Sequence, residues 1–67
     1  MSEIMDVLMV LDENPTRFLS GRCNISIRDK KCTISRNYVS GGIIVYYSEK
    51  VFEFGWDKER QKWVRKP

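Results

Sequence analysis

The sequence predicts an α+β fold: one N-terminal helix packed on a small antiparallel β-meander of four to five strands. Three observations carry this reading. Apolar residues near the N-terminus recur at helical spacing, the apolar period changes to two after Gly21, and short polar pairs of hairpin length interrupt the alternating segments. At 67 residues the chain has room for one domain, taken as residues 1–67, with one thin core.

Ile4, Val7, Leu8 and Leu11 follow the i, i+3, i+4, i+7 spacing of an amphipathic helix, with Ser2 as N-cap and Glu3 and Asp6 in the first turn. Met5, Met9 and Val10 are expected to broaden its apolar face. Periodicity also admits a buried strand over residues 5–11, which would convert the whole into a small all-β barrel. Asn14 and Pro15 have the form of an N-cap and a first helical residue, and Ser20 and Gly21 read as a stop. A short helical turn from Pro15 to Leu19 follows, tucking Phe18 and Leu19 inward.

Beyond Gly21, Cys23, Ile25 and Ile27 alternate with polar residues, as do Cys32 and Ile34 after Asp29 and Lys30. With Asp29 and Lys30 as the loop, Ile27 faces Cys32, Ile25 faces Ile34 and Cys23 faces Arg36, so the apolar side chains share one face. That register separates the two cysteines by about 13 Å along the sheet, beyond the Cα spacing of about 7 Å that a disulfide tolerates. Both thiols then read as small core residues.

A second hairpin joins Ile43, Val45 and Tyr47 to Phe52, Phe54 and Trp56. With Glu49 and Lys50 as its loop, Tyr47 opposes Phe52, Val45 opposes Phe54 and Ile43 opposes Trp56. Gly41 and Gly42 read as a flexible approach to it. Asp57 to Lys62 is a charged turn before a last strand containing Trp63 and Val64. The expected core is Ile4, Val7, Leu8, Leu11, Phe18, Ile25, Ile27, Ile34, Ile43, Val45, Phe52, Phe54 and Trp56.

Composition narrows the chemistry. The chain contains no histidine, which removes the usual general base near neutral pH and the commonest metal ligand. Cys23 and Cys32 lack a second pair with zinc-ligand spacing, no glycine-rich phosphate loop is present, and no cofactor or metal is expected. Glu53 is an acidic residue within an apolar strand, on the parity that faces away from the core, where a solvated role is the ordinary one. These features point to a non-enzymatic module. The longest apolar run, Val7 to Leu11, is far short of the roughly 20 residues of a membrane span, and the N-terminal segment has the wrong charge for a secretory signal. A cytoplasmic setting with reduced thiols is expected.

A single helix covers one side of a sheet, so Ile44, Tyr46, Val51 and Glu53, with Val64, are expected on an uncovered face. Aromatic and apolar residues mixed with charge on such a face suit a protein partner, and the expectation is a small protein-binding module, a regulator or inhibitor that occupies a partner's surface. A homodimer contact is the self-associating version of the same surface.

The net charge of +3 is unevenly distributed: one cation meets four carboxylates through Ser20, and eleven meet five thereafter. The alternative reading is therefore a small basic DNA- or RNA-binding domain. It would use the first hairpin and C-terminal tail, through Arg28, Lys30, Lys31, Arg36, Arg65 and Lys66, with aromatics interleaved among the cations.

Overall fold

The computed structural model describes residues 2–66. Helix α1 spans Glu3–Glu13, a 3-10 helix spans Pro15–Phe18, and five strands follow: β1 Cys23–Ile27, β2 Lys30–Arg36, β3 Ile43–Tyr47, β4 Lys50–Asp57 and β5 Lys62–Arg65. The strands form one open antiparallel sheet in the order β1-β2-β3-β4-β5, with α1 on one face. Residues 5–11 are helical, so the barrel alternative does not form.

Ser2 and Asn14 occupy the N-cap positions of the two helices without making side-chain capping hydrogen bonds. Val7 and Leu11 are buried, and Ile4, Leu8 and Val10 pack partly against the core. Met5 and Met9 are exposed and do not widen the buried stripe; they lie on the outer side of a helix with only one sheet to cover it. Leu19 is likewise exposed, because the chain turns after Phe18 toward Gly21, whose φ is 106°.

Both hairpins close one residue earlier than the sequence predicts. Arg28 and Asp29 form the first loop and Ser48 and Glu49 the second, all four with positive φ between 51° and 63°. This is the left-handed backbone that two-residue loops of the primed type require, since it matches the twist of the flanking strands. Ile27 therefore pairs with Lys30, Ile25 with Cys32 and Cys23 with Ile34. In the second hairpin Tyr47 pairs with Lys50, Val45 with Phe52 and Ile43 with Phe54. Moving a loop by one residue moves the register by two, which leaves every side chain on its expected face.

The helix supplies a reason for the observed register. It brings Arg28 Nε to 3.0 Å from Asp6 Oδ1 and Lys50 Nζ to 3.1 Å from Glu3 Oε1, so both turns are tied to the first turn and a half of α1. Asp6 is buried, and its second oxygen lies 3.3 Å from the Tyr47 hydroxyl, which is also 3.3 Å from the Ile27 carbonyl oxygen. A buried carboxylate is tolerated here because both its oxygens have donors within reach.

The core contains Val7, Leu11, Phe18, Ile27, Cys32, Ile34, Ile43, Val45, Tyr47, Phe52, Phe54 and Trp63. Trp63 joins it because its indole N–H donates to the Pro15 carbonyl oxygen at 2.9 Å, which pins the 3-10 helix over the end of the sheet. Trp56, expected opposite Ile43, instead pairs with Trp63 and is half-buried, the two rings meeting edge to face at 4.9 Å. Ile4, Leu8 and Ile25 are also only partly buried, since one helix does not reach the margins of a five-stranded sheet.

The β2–β3 connection is specified by its own side chains. Asn37 Oδ1 accepts the N–H groups of Val39 and Ser40, and Ser40 Oγ accepts that of Gly42. Gly42 provides close approach where flexibility was expected: a Cβ there would overlap the Phe54 carbonyl oxygen and lie 3.1 Å from its carbon.

Candidate functional site

The face of the sheet opposite α1 has no covering layer among the described residues. Tyr46 is 45% exposed, Val51 59% and Val64 44%, values that place three large apolar side chains in solvent on this face of the sheet. Ile44 is half-buried between neighbours and Glu53 is exposed. The observed register sets Tyr46 directly opposite Val51 and Ile44 opposite Glu53, so these four residues form two adjoining cross-strand rows. The expected loop would have put Glu53 opposite Tyr46; the earlier loop replaces that carboxylate with an apolar neighbour and concentrates the patch.

The first row continues through Thr33 to Asn24, where the Thr33 hydroxyl donates to the Asn24 side-chain oxygen at 3.1 Å. Lys31 borders this side. On the other side Gly55 pairs with Val64, leaving a low point in the sheet because one partner carries no side chain. The patch is thus an apolar row of Tyr46 and Val51 with Ile44 beside it, polar residues toward β1, and Glu53 standing between Val51 and the Gly55–Val64 pair, a mixture of aromatic, apolar and charged groups found in protein interfaces.

Its extent can be estimated from sheet geometry. Four strand spacings of about 4.8 Å and five residues at about 3.3 Å give a face of roughly 19 by 17 Å, or about 320 Å² in projection. A standard interface buries about 800 Å² on each partner. A partner docked here must therefore also engage an edge strand or a loop, or else bind transiently.

The six basic residues of the alternative reading do not assemble. Arg28 and Lys30 lie at the first hairpin turn, and Arg28 is engaged with Asp6. Lys31 projects from the open face, whereas Arg36 lies five residues along the same strand on the opposite parity, about 17 Å away. Arg65 and Lys66 sit at the β5 edge, with the Arg65 guanidinium 5.3 Å from the Phe52 ring centroid. Sequence proximity suggested a cluster that the strand length and alternation of β2 disperse.

Comparison with protein-family models, curated proteins and solved structures finds no match. The functional reading therefore rests on the surface itself.

Neither cysteine is paired in a disulfide. The observed register places them diagonally, Cys23 opposite Ile34 and Cys32 opposite Ile25, nearer than the expected 13 Å separation allowed. Burial, with a smaller contribution from Cys23, pushes the Cys32 thiol up to about 11, which leaves it protonated and unreactive near neutral pH. Burial and then the Asp6 carboxylate also raise Tyr47 above its ordinary range. Among the described residues no group of three His, Cys, Asp or Glu side chains could hold a metal ion, and no buried side-chain polar atom lacks a hydrogen-bond partner. No helix among them is long and apolar enough to cross a membrane.

Proposed function

We propose that this chain is a non-enzymatic, cytoplasmic protein-binding module, a regulator or inhibitor that acts by laying the open face of its sheet on a partner's surface. The observation that carries this reading is the exposed Tyr46–Val51 pair, flanked by Ile44 and Glu53, on a face with no covering layer among the described residues. Aromatic side chains supply large contact area with few rotors to freeze, so Tyr46 is the expected anchor. Free cysteines accord with a reducing compartment.

The test uses the immobilised full chain in native cell extract, with and without nuclease, followed by reconstitution with the purified captured protein. Wild type, Tyr46→Ala and a Lys30→Glu, Lys31→Glu double variant are compared. The expected result is a protein that survives nuclease, binds with little salt dependence and loses at least about 30-fold in affinity with Tyr46→Ala, the equivalent of a 2 kcal/mol hot spot. Retention that requires nucleic acid and the two lysines would instead establish the basic alternative. Sedimentation of the purified chain identifies the remaining case, in which a second copy covers the face and Tyr46→Ala dissociates a homodimer.

A further inference from the structure

We propose a second site at the end of the sheet remote from the hairpin turns: a groove that binds a phosphate carried next to an aromatic base, as in a nucleotide, free or within a single-stranded nucleic acid. This goes beyond the protein-binding face and uses different residues. Two clefts adjoin there. One, of about 290 Å³, has Phe18, Ile43, Trp56, Lys58 and Trp63 in its walls; the other, of about 390 Å³, is bounded by Ser20, Arg22, Ser35 and Tyr38. Both are lined by Gly21 and Arg36, so the Arg36 side chain lies between them. Their sizes fall at the lower end of small-ligand sites.

The electrostatics are one-sided. Arg22, Arg36 and Lys58 line the two clefts, and no Asp or Glu does. Among the described residues these three cations form no ion pair, whereas at the opposite end Glu3 and Asp6 hold Lys50 and Arg28. Asp57, next to Lys58 in the chain, is turned into its own loop. Its Oδ1 accepts the N–H groups of Glu59 and Arg60, and its Oδ2 lies 3.8 Å from Arg60 Nε. Unneutralised cations around a concave, partly apolar wall focus positive potential where an anion would enter.

The aromatic component separates this groove from a general anion site. Tyr38 is 87% exposed, and the Arg36 guanidinium stands 5.9 Å from its ring centroid, so a planar cation and a planar ring already border the same opening. Trp56 presents a half-buried indole on the other side, held in orientation by Trp63. Ser40 Oγ accepts from Gly42, which leaves its proton available to a ligand oxygen. Stacking surfaces beside guanidinium groups are the usual means of holding single-stranded nucleotides without sequence preference, whereas a purely carboxylate ligand such as polyglutamate would leave the rings unused.

The experiment is fluorescence anisotropy of the purified full chain with labelled oligothymidylate. Competition with thymidine monophosphate, inorganic phosphate and polyglutamate is measured alongside. If Arg22, Arg36 and Lys58 each neutralise one phosphate of the oligomer, the slope is about −2 in log affinity against log salt, an affinity falling about 20-fold between 50 and 200 mM, and a single phosphate gives a slope of about −0.7. Arg36→Glu and Tyr38→Ala should each weaken binding at least tenfold with the thermal midpoint retained, while Lys30→Glu, at the far end, should change it less than threefold. Competition by thymidine monophosphate identifies free nucleotide as sufficient, and binding restricted to the oligomer identifies the polymer as the ligand. No binding, equal competition by phosphate or polyglutamate, or equal loss with Lys30→Glu would each overturn the proposal.

Discussion

Gly42→Ala tests whether the β2–β3 loop is clamped against the centre of the sheet. The introduced methyl would overlap the Phe54 carbonyl oxygen and lie 3.3 Å from Gly55 Cα, both backbone atoms that cannot rotate away. Relief requires residue 42 to move, yet its N–H donates to Ser40 Oγ and its carbonyl oxygen accepts the Asn37 N–H at 2.8 Å. Overpacking costs about 1–3 kcal/mol and a lost hydrogen bond about 1 kcal/mol, so a loss near 3 kcal/mol is expected. A domain of this size has a total of roughly 3–10 kcal/mol. At about 4–8 °C per kcal/mol the thermal midpoint should fall by at least about 12 °C, read by circular dichroism. Gly41→Ala is the control, because its added methyl meets nothing within 4 Å and only the φ of 81° opposes it. That substitution should cost about 1–2 kcal/mol. A Gly42→Ala protein melting within a degree or two of wild type, or above Gly41→Ala, would refute the claim that close approach decides this position.

Two further outcomes follow from the core. Phe54→Ala empties a fully buried site between Ile43 and the helix side of the sheet, and should cost about 3–5 kcal/mol, enough to leave much of the population unfolded; urea denaturation at low temperature measures it. Because Cys32 is raised from 9.0 to about 11 in the native state, the unfolded chain loses that proton first as pH rises. The native state then binds more protons, and stability should decline from about pH 9 toward 11. Cys32→Ala should flatten the lower part of that decline while leaving the Tyr47 contribution at higher pH; an unchanged slope in the variant would refute the assignment.

Much of the fold is legible in the chain because period and parity are local properties. The spacing of Ile4, Val7, Leu8 and Leu11 marks a helix, and alternation from Cys23 to Ile34 and from Ile43 to Trp56 assigns each strand residue to a face. The open-face residues Ile44, Tyr46, Val51 and Glu53 are found by the same parity, which survives a register shift of two. Turn position is less legible. Neither Arg28–Asp29 nor Ser48–Glu49 carries the glycine or asparagine that advertises a left-handed loop, so the adjacent pair reads equally well.

Only the tertiary structure decides what comes together from a distance. It exposes Met5 and Met9, draws Trp63 into the core through Pro15, and sets Val51 beside Tyr46. It also disperses the basic residues that look clustered in sequence and gathers Arg22, Arg36 and Lys58, which lie far apart along the chain, around one groove. The physical reason is the difference in range: burial alternation is written residue by residue, whereas the pairing of charges and the closing of a groove depend on strand length, loop position and the direction in which one helix crosses the sheet.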